Sequence, residues 1–151
     1  MTRRTGITIT LANRQRRDPV PAVWLSRLAR AAVRRLRVRA KGTFSVVFVD
    51  AGQMRRLNAR FTGHRALTDV LSFRYPAEGA GGSLKEELVV GEIIVAPAAA
   101  RRYAQAHGLS YREELARYIV HGLLHWIGHE DRTAQQQRKM RKLEDGLLKQ
   151  S

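Results

Sequence analysis

The order in which two hydrophobic patterns follow each other constrains the fold of this chain more than any other feature. Runs rich in β-branched and apolar residues, typical of strands, occupy 6–11, 43–49, 69–75 and 88–95. Apolar residues at helical spacing occupy 20–38, 51–61, 97–107, 111–127 and 134–148. The order strand, helix, strand, helix, strand, strand and three helices predicts an α+β fold. We expect a mixed four-stranded sheet with helices packed mainly on one side.

Helix boundaries are marked by residues with known terminal preferences. Gly108 and Gly128 stand where glycine commonly follows the last turn of a helix. Ser110 with Glu113, and a second pair at Thr133 and Gln136, have the spacing of capping boxes at helix starts. At 151 residues the chain suits one core, so we predict a single domain over 1–151.

The stretch "HGLLHWIGHED" (121–131) holds three of the five histidines and two carboxylates. His121 and His125 are four residues apart on a predicted helix, so both side chains lie on one face and can share an ion. The chain has no cysteine, so a metal must be bound by imidazole and carboxylate groups. The pattern predicts a metal centre.

The third ligand depends on how this helix ends. His129 continues the four-residue series, but on a straight helix it would lie about 12 Å along the axis from His121. If the helix ends at Gly128 in a left-handed turn, the chain folds back and Asp131 can return to the ion. This spacing matches the metzincin pattern, with aspartate as the last ligand. The predicted ligands of one Zn²⁺ ion are His121, His125 and Asp131, with His129 and Glu130 as alternatives.

One residue argues against a metalloprotease. In proteases with the H-E-x-x-H motif, the glutamate after the first histidine takes a proton from water. Here that position is Gly122. The pattern therefore favours chemistry in which the metal and the substrate supply more of the catalysis.

The charge balance predicts a polyanionic partner. Lys and Arg number 28 against 13 Asp and Glu, a formal charge of +15, which suits nucleic acid. No apolar run has the length of a signal peptide core or a membrane span, so we expect a cytoplasmic protein. The arginines that we expect to track RNA toward the metal are Arg34, Arg35, Arg37, Arg39, Arg55, Arg56, Arg60, Arg65, Arg101 and Arg102.

These motifs resemble those of the YbeY family. "HGLLHWIGHED" is similar to that family's H-G-x-L-H-x-x-G-Y-D-H signature, and "LTDVLSF" (67–73) is similar to P-T-D-V-L-S-F. "VVFVD", "LNARF" and "GEI" add further similarity in the same order over nearly the whole chain. The resemblance implies a zincin-like α+β fold and a zinc-dependent, single-strand-specific endoribonuclease that acts in rRNA maturation and ribosome quality control.

Carried over residue by residue, the resemblance makes His121 and His125 zinc ligands and puts the family's third histidine at Asp131. The family's functional arginine after L-N-x-x-F/Y falls at Thr62, so Arg65 or Arg60 would have to supply its charge. Asp69 or Glu92 could act as a base or orient a ligand histidine. The predicted catalytic residues are Arg65, Asp69 and Glu92.

The expected substrate is single-stranded RNA, in particular the 3′ end of the small-subunit rRNA. The expected partners are the small ribosomal subunit or its assembly factors, with no membrane and no small-molecule cofactor. Two alternatives stay open at this point: a minimal zinc metalloprotease whose base comes from outside the helix, and a ribosome-associated RNA-binding protein with reduced catalysis.

Overall fold

Four strands and five helices, in the predicted order, make up residues 6–63, 70–75 and 88–149, which are the residues that this computed structural model describes. No helix among them is long and apolar enough to cross a bilayer. The elements are β1 (Ile7–Asn13), α1 (Ala22–Arg35), β2 (Gly42–Phe48), α2 (Ala51–Thr62), β3 (Val70–Arg74), β4 (Val89–Val95), α3 (Pro97–His107), α4 (Tyr111–Trp126) and α5 (Ala134–Leu148).

The first helix is shorter at both ends than the predicted 20–38. Val20 precedes Pro21, and the proline ring disfavours helical geometry at the residue before it. At the other end Arg37 adopts a left-handed conformation, with φ of 53°. Both boundaries are therefore set by local backbone geometry, which the spacing of apolar residues does not predict.

The sheet is mixed, as predicted. Its strand order is β1-β2-β4-β3, with β1, β2 and β4 parallel to one another and β3 antiparallel to β4 at one edge. The carboxyl ends of the three parallel strands therefore meet at one end of the sheet, where the chain leaves toward the helices.

The two faces of the sheet bury different helices. Phe44, Phe48 and Ile93 belong to the larger core, which includes buried residues of α1, α4 and α5. Leu71 and Ile94 belong to a smaller core with Met54 of α2. The helices thus pack mainly on one side, as expected, and α2 covers part of the other.

Close contacts hold α4 against β4. A Cβ added at Gly122 would lie 2.7 Å from Ile93 Cγ2, so a side chain there would require Ile93 to shift. Further along α4, the indole Nε1 of Trp126 donates a hydrogen bond of 3.1 Å to the carbonyl of Val90. Gly122 and Trp126 face the sheet, and this fixes the direction in which the neighbouring histidines project.

Candidate metal centre

Two histidines on the C-terminal half of α4 bring their ring nitrogens together. His121 and His125 are one turn apart on the helix, and their Nε2 atoms lie 3.0 Å from each other. The rings meet nearly at right angles. Their side chains are 24% and 30% exposed, so the paired nitrogens are supported by the protein and still reachable from solvent.

A left-handed glycine ends α4, as the sequence predicts. Gly128 has φ of 108°, a conformation that glycine adopts without steric penalty. Its N–H donates to the carbonyl of His125 at 3.0 Å, and the next N–H, of His129, donates to the carbonyl of Leu124 at 2.9 Å. This pair of hydrogen bonds is the Schellman arrangement, which turns the chain back toward the helix.

The returning chain brings Asp131 to the histidine pair. Its Oδ2 lies 3.5 Å from Nε2 of His121 and 3.5 Å from Nε2 of His125. Ligands bound to zinc at 2.0–2.1 Å in a tetrahedron lie roughly 3.3 Å from one another. The three separations of 3.0, 3.5 and 3.5 Å match this spacing. The three residues could therefore hold a metal ion.

The alternative ligands lie elsewhere. His129 and Glu130 line a cavity of about 240 Å³ together with Gly128 and residues of α5. Within the described residues, the group of metal-ligating side chains that converges contains Asp131 and neither of these two.

Glu144 of α5 is a site residue that sequence reasoning missed. Its Oε2 lies 2.6 Å from Nδ1 of His121, on the side of the ring away from the converging donors. The sequence feature that could have indicated Glu144 is its position between Met140 and Leu147 on the buried face of α5. A carboxylate buried in a helix needs a partner, and this suggests a contact with another element.

Arg117 joins the two carboxylates of α5 to α4. Its Nη1 donates to Glu144 Oε1 at 2.9 Å and its Nη2 donates to Asp145 Oδ1 at 2.7 Å. Burial acts to lower the pKa of Arg117, but the hydrogen bonds to Asp145 and Glu144 outweigh it and raise the pKa above its ordinary value. The guanidinium is therefore a permanent positive charge at this junction.

Of the three predicted catalytic residues, Glu92 is the one with a described position. Arg65 and Asp69 lie outside the described residues. Glu92 follows Gly91 on β4, and because Gly91 faces Trp126 of α4, alternation directs Glu92 to the opposite face of the sheet. There burial, and then the charge and hydrogen bond of Glu92, raise the pKa of Tyr75.

Thr62 and Ser72 also have described positions. Thr62, which stands at the family's arginine position, is the last residue of α2, and its hydroxyl donates to the carbonyl of Asn58 at 2.6 Å. Ser72 is exposed on β3, and its hydroxyl donates to the carbonyl oxygen of Gly122 at 3.4 Å.

A second feature is an arginine-lined cleft at the carboxyl ends of the parallel strands. The cleft has a volume of about 620 Å³. Two carboxylates that line it have partners: Asp18 lies 2.8 Å from Arg101, an ion pair without good hydrogen-bond alignment, and Asp50 caps α2 by accepting from the N–H of Gln53. The arginines that line the cleft are Arg14, Arg16, Arg17 and Arg55.

The cleft is not beside the metal centre. Tyr111, at the start of α4, donates to the carbonyl of Pro19 in the loop that forms the cleft, at 2.7 Å. His121 is ten residues further along α4, about 15 Å along the helix axis. Of the arginines expected to track RNA, Arg55 lines the cleft and Arg101 pairs with its Asp18, whereas Arg14, Arg16 and Arg17 were not anticipated.

Comparison with known proteins agrees with the motifs. The family model described as endoribonuclease YbeY matches residues 10–151. A relative described as endoribonuclease YbeY from Pelotomaculum thermopropionicum is 35% identical over 146 residues, which cover 93% of this chain and 94% of the relative. A second relative with the same description, from Acidothermus cellulolyticus, is 33% identical over 149 residues, which cover 94% of this chain and 90% of the relative.

A solved structure shares the fold. The solution structure of a Thermotoga maritima protein aligns with a TM-score of 0.60 at 21% identity, covering 95% of this chain and 87% of that one. The predicted α+β architecture and the resemblance noted in the sequence are thus both confirmed. The chain belongs to the endoribonuclease YbeY family.

Proposed function

We propose that this protein is a zinc-dependent endoribonuclease that cleaves single-stranded RNA. Its proposed role is maturation of the small-subunit rRNA 3′ end and ribosome quality control in the cytoplasm, with the small ribosomal subunit or its assembly factors as partners. The observation that carries the proposal is the convergence of two imidazole nitrogens and one carboxylate oxygen at zinc spacing, in a chain of the endoribonuclease YbeY family.

The donor set favours zinc among common metals. Imidazole nitrogens suit zinc, whereas calcium and magnesium prefer oxygen ligands. Three protein ligands are also the number found in catalytic zinc sites, which keep one position open. A zinc ion held by these residues would supply Lewis acidity toward a phosphoryl oxygen.

The protein's own residues have separate roles in this proposal. His121, His125 and Asp131 hold the ion at a partly exposed position that a flexible RNA strand can reach. The arginine-lined cleft binds phosphates of the same RNA further along the chain. Asp69 is proposed as catalytic from the "LTDVLSF" motif, and Arg65 from the need to replace the positive charge that Thr62 lacks. Glu92 is the third residue proposed as catalytic, and its carboxylate contacts Tyr75.

The position of Gly122 supports RNA over peptide as the substrate. A protease glutamate at this position would have to fit where a Cβ alone would lie 2.7 Å from Ile93. RNA carries its own nucleophile in the 2′-hydroxyl, so its cleavage depends less on a protein base.

The test is a time course of end-labelled single-stranded rRNA with three proteins purified identically: wild type, His125→Ala and His107→Ala. His107 is an exposed residue of α3 that stacks on Tyr103, so His107→Ala controls for loss of a histidine away from the centre. We expect cleavage by the wild type and His107→Ala and none by His125→Ala. Equal cleavage by all three would overturn the proposal, and so would tight RNA binding without cleavage by any of them.

A further inference from the structure

A buried carboxylate lies directly behind one predicted metal ligand. Glu144 is 5% exposed, and its Oε2 is 2.6 Å from Nδ1 of His121. The other ring nitrogen of His121, Nε2, faces His125 and Asp131. The imidazole of His121 is therefore held between a carboxylate from α5 and the converging donors.

We propose that Glu144 is a positioning residue that prepares His121 to bind the metal, an inference that rests on the metal centre proposed above. A neutral imidazole has one N–H and one lone pair. Because the carboxylate of Glu144 accepts from Nδ1–H, the lone pair is on Nε2, the atom that faces the other two donors. The same contact fixes the orientation of the ring. Carboxylate partners of this kind increase the affinity of histidine ligands for metals.

Arg117 fixes the carboxylate in turn. Arg117 is one turn before His121 on α4, so both side chains reach α5 from the same side of the helix. Arg117 binds Oε1 of Glu144 while His121 binds Oε2. With both oxygens occupied, the carboxylate cannot rotate without breaking a charged hydrogen bond. The orientation of His121 is thus set by a three-residue chain from Arg117 through Glu144.

The contacts of Glu144 could also serve only to stabilise the fold. The ion pair between Arg117 and Glu144 also joins α5 to α4, and its loss would destabilise the protein whether or not Glu144 orients a ligand. Asp145 separates the two roles. It binds the second guanidinium nitrogen of Arg117 at 2.7 Å, from a side chain that is 48% exposed. Removing Asp145 weakens the same helix junction and leaves the carboxylate behind His121 in place.

The experiment compares Glu144→Ala and Glu144→Gln with the matched controls Asp145→Ala and Asp145→Asn. Zinc affinity is measured by competition with a chromophoric chelator, and unfolding of the metal-free proteins is measured in parallel. We expect Glu144→Ala to weaken zinc binding by about 10–100-fold, and both Asp145 variants to bind like the wild type. Glu144→Gln keeps the shape of the side chain and can accept from His121 or from Arg117 but not from both, so we expect an intermediate loss.

The absorption spectrum of bound Co²⁺ gives a second readout that stability does not control. We expect the bands to change in Glu144→Gln, since the orientation of His121 is altered, and to be unchanged in Asp145→Asn. Wild-type zinc affinity in both Glu144 variants would overturn the inference, and so would losses in the Asp145 variants equal to those in the Glu144 variants. His125→Ala tests the metal centre separately from the role of Glu144: if this variant also keeps wild-type zinc affinity, zinc does not bind at the predicted ligands.

Discussion

Replacing Gly122 by alanine tests whether packing against Ile93 or helix propensity has the larger effect on stability, because the two effects have opposite signs. At an open position in a helix, replacing glycine by alanine stabilises the protein, because alanine loses less backbone freedom on folding. The gain is about 0.8–1.0 kcal/mol. At Gly122 the added Cβ would lie 2.7 Å from Cγ2 and 3.1 Å from Cδ1 of a fully buried isoleucine. Overpacking of this kind costs about 1–3 kcal/mol.

The sum of these two terms is a net destabilisation of about 0–2 kcal/mol for Gly122→Ala. Gly146 provides the matched control, since it also lies in a helix and a Cβ added there meets nothing within 4 Å. Gly146→Ala should therefore stabilise the protein by up to about 1 kcal/mol. Because the propensity gain is similar in both variants, the difference between them, about 1–3 kcal/mol, measures the contact with Ile93.

Urea unfolding of the metal-free proteins, followed by tryptophan fluorescence, measures both changes. Trp126 is 5% exposed and lies one turn after Gly122 on the same helix, so its emission reports on this region. If Gly122→Ala proves as stable as Gly146→Ala, Ile93 yields without cost and the packing argument is refuted. In that case the objection to a glutamate at position 122 would also fail.

Two further predictions concern the metal ligands and the arginine-lined cleft. Asp131→Ala should lower zinc occupancy and Asp131→His should retain it, measured by metal analysis after dialysis. A full equivalent of zinc in Asp131→Ala, with loss in His129→Ala, would show that the third ligand is wrong. For the cleft, each lost phosphate contact lowers the slope of log K against log salt by about 0.7 on single strands, so removing three should lower it by about 2. The salt dependence of RNA binding to Arg14→Gln/Arg16→Gln/Arg17→Gln tests this, with Arg27→Gln/Arg30→Gln/Arg138→Gln as the control. Equal slopes in the two triple variants would remove the cleft from the proposed RNA path.

Local signals predicted the helices well where capping residues were present. The predicted bounds of 97–107 and 134–148 are those observed. Pro97 occupies the first turn of α3, the N–H of Gly108 at its end donates to the carbonyl of Ala104, and Thr133 and Gln136 cap α5, so each end is set by residues close in sequence. The first helix was predicted too long, because Pro21 and the left-handed Arg37 override its apolar spacing. Boundaries set by neighbours in sequence are thus accessible to sequence reasoning.

The position of Asp131 was accessible for the same reason. At the end of α4 the N–H of Gly128 donates to His125 and that of His129 donates to Leu124, so the return of the chain follows from a motif of residues close in sequence. The contact of Glu144 with His121 could not be predicted in this way. Glu144 lies 23 residues after His121, and its contact exists only because α5 packs against α4.

The sequence by itself determined the element order, the ends of α3 and α5 and the spacing of His121, His125 and Asp131, because each depends on interactions between residues close in the chain. Only the tertiary structure decided the strand order β1-β2-β4-β3 and the face on which Glu92 lies. It also decided the convergence of Arg14, Arg16 and Arg17 with Arg55 at one cleft. These features depend on which segments, distant in sequence, pack together to bury apolar surface. The spacing of residues within one segment does not indicate which other segment it packs against.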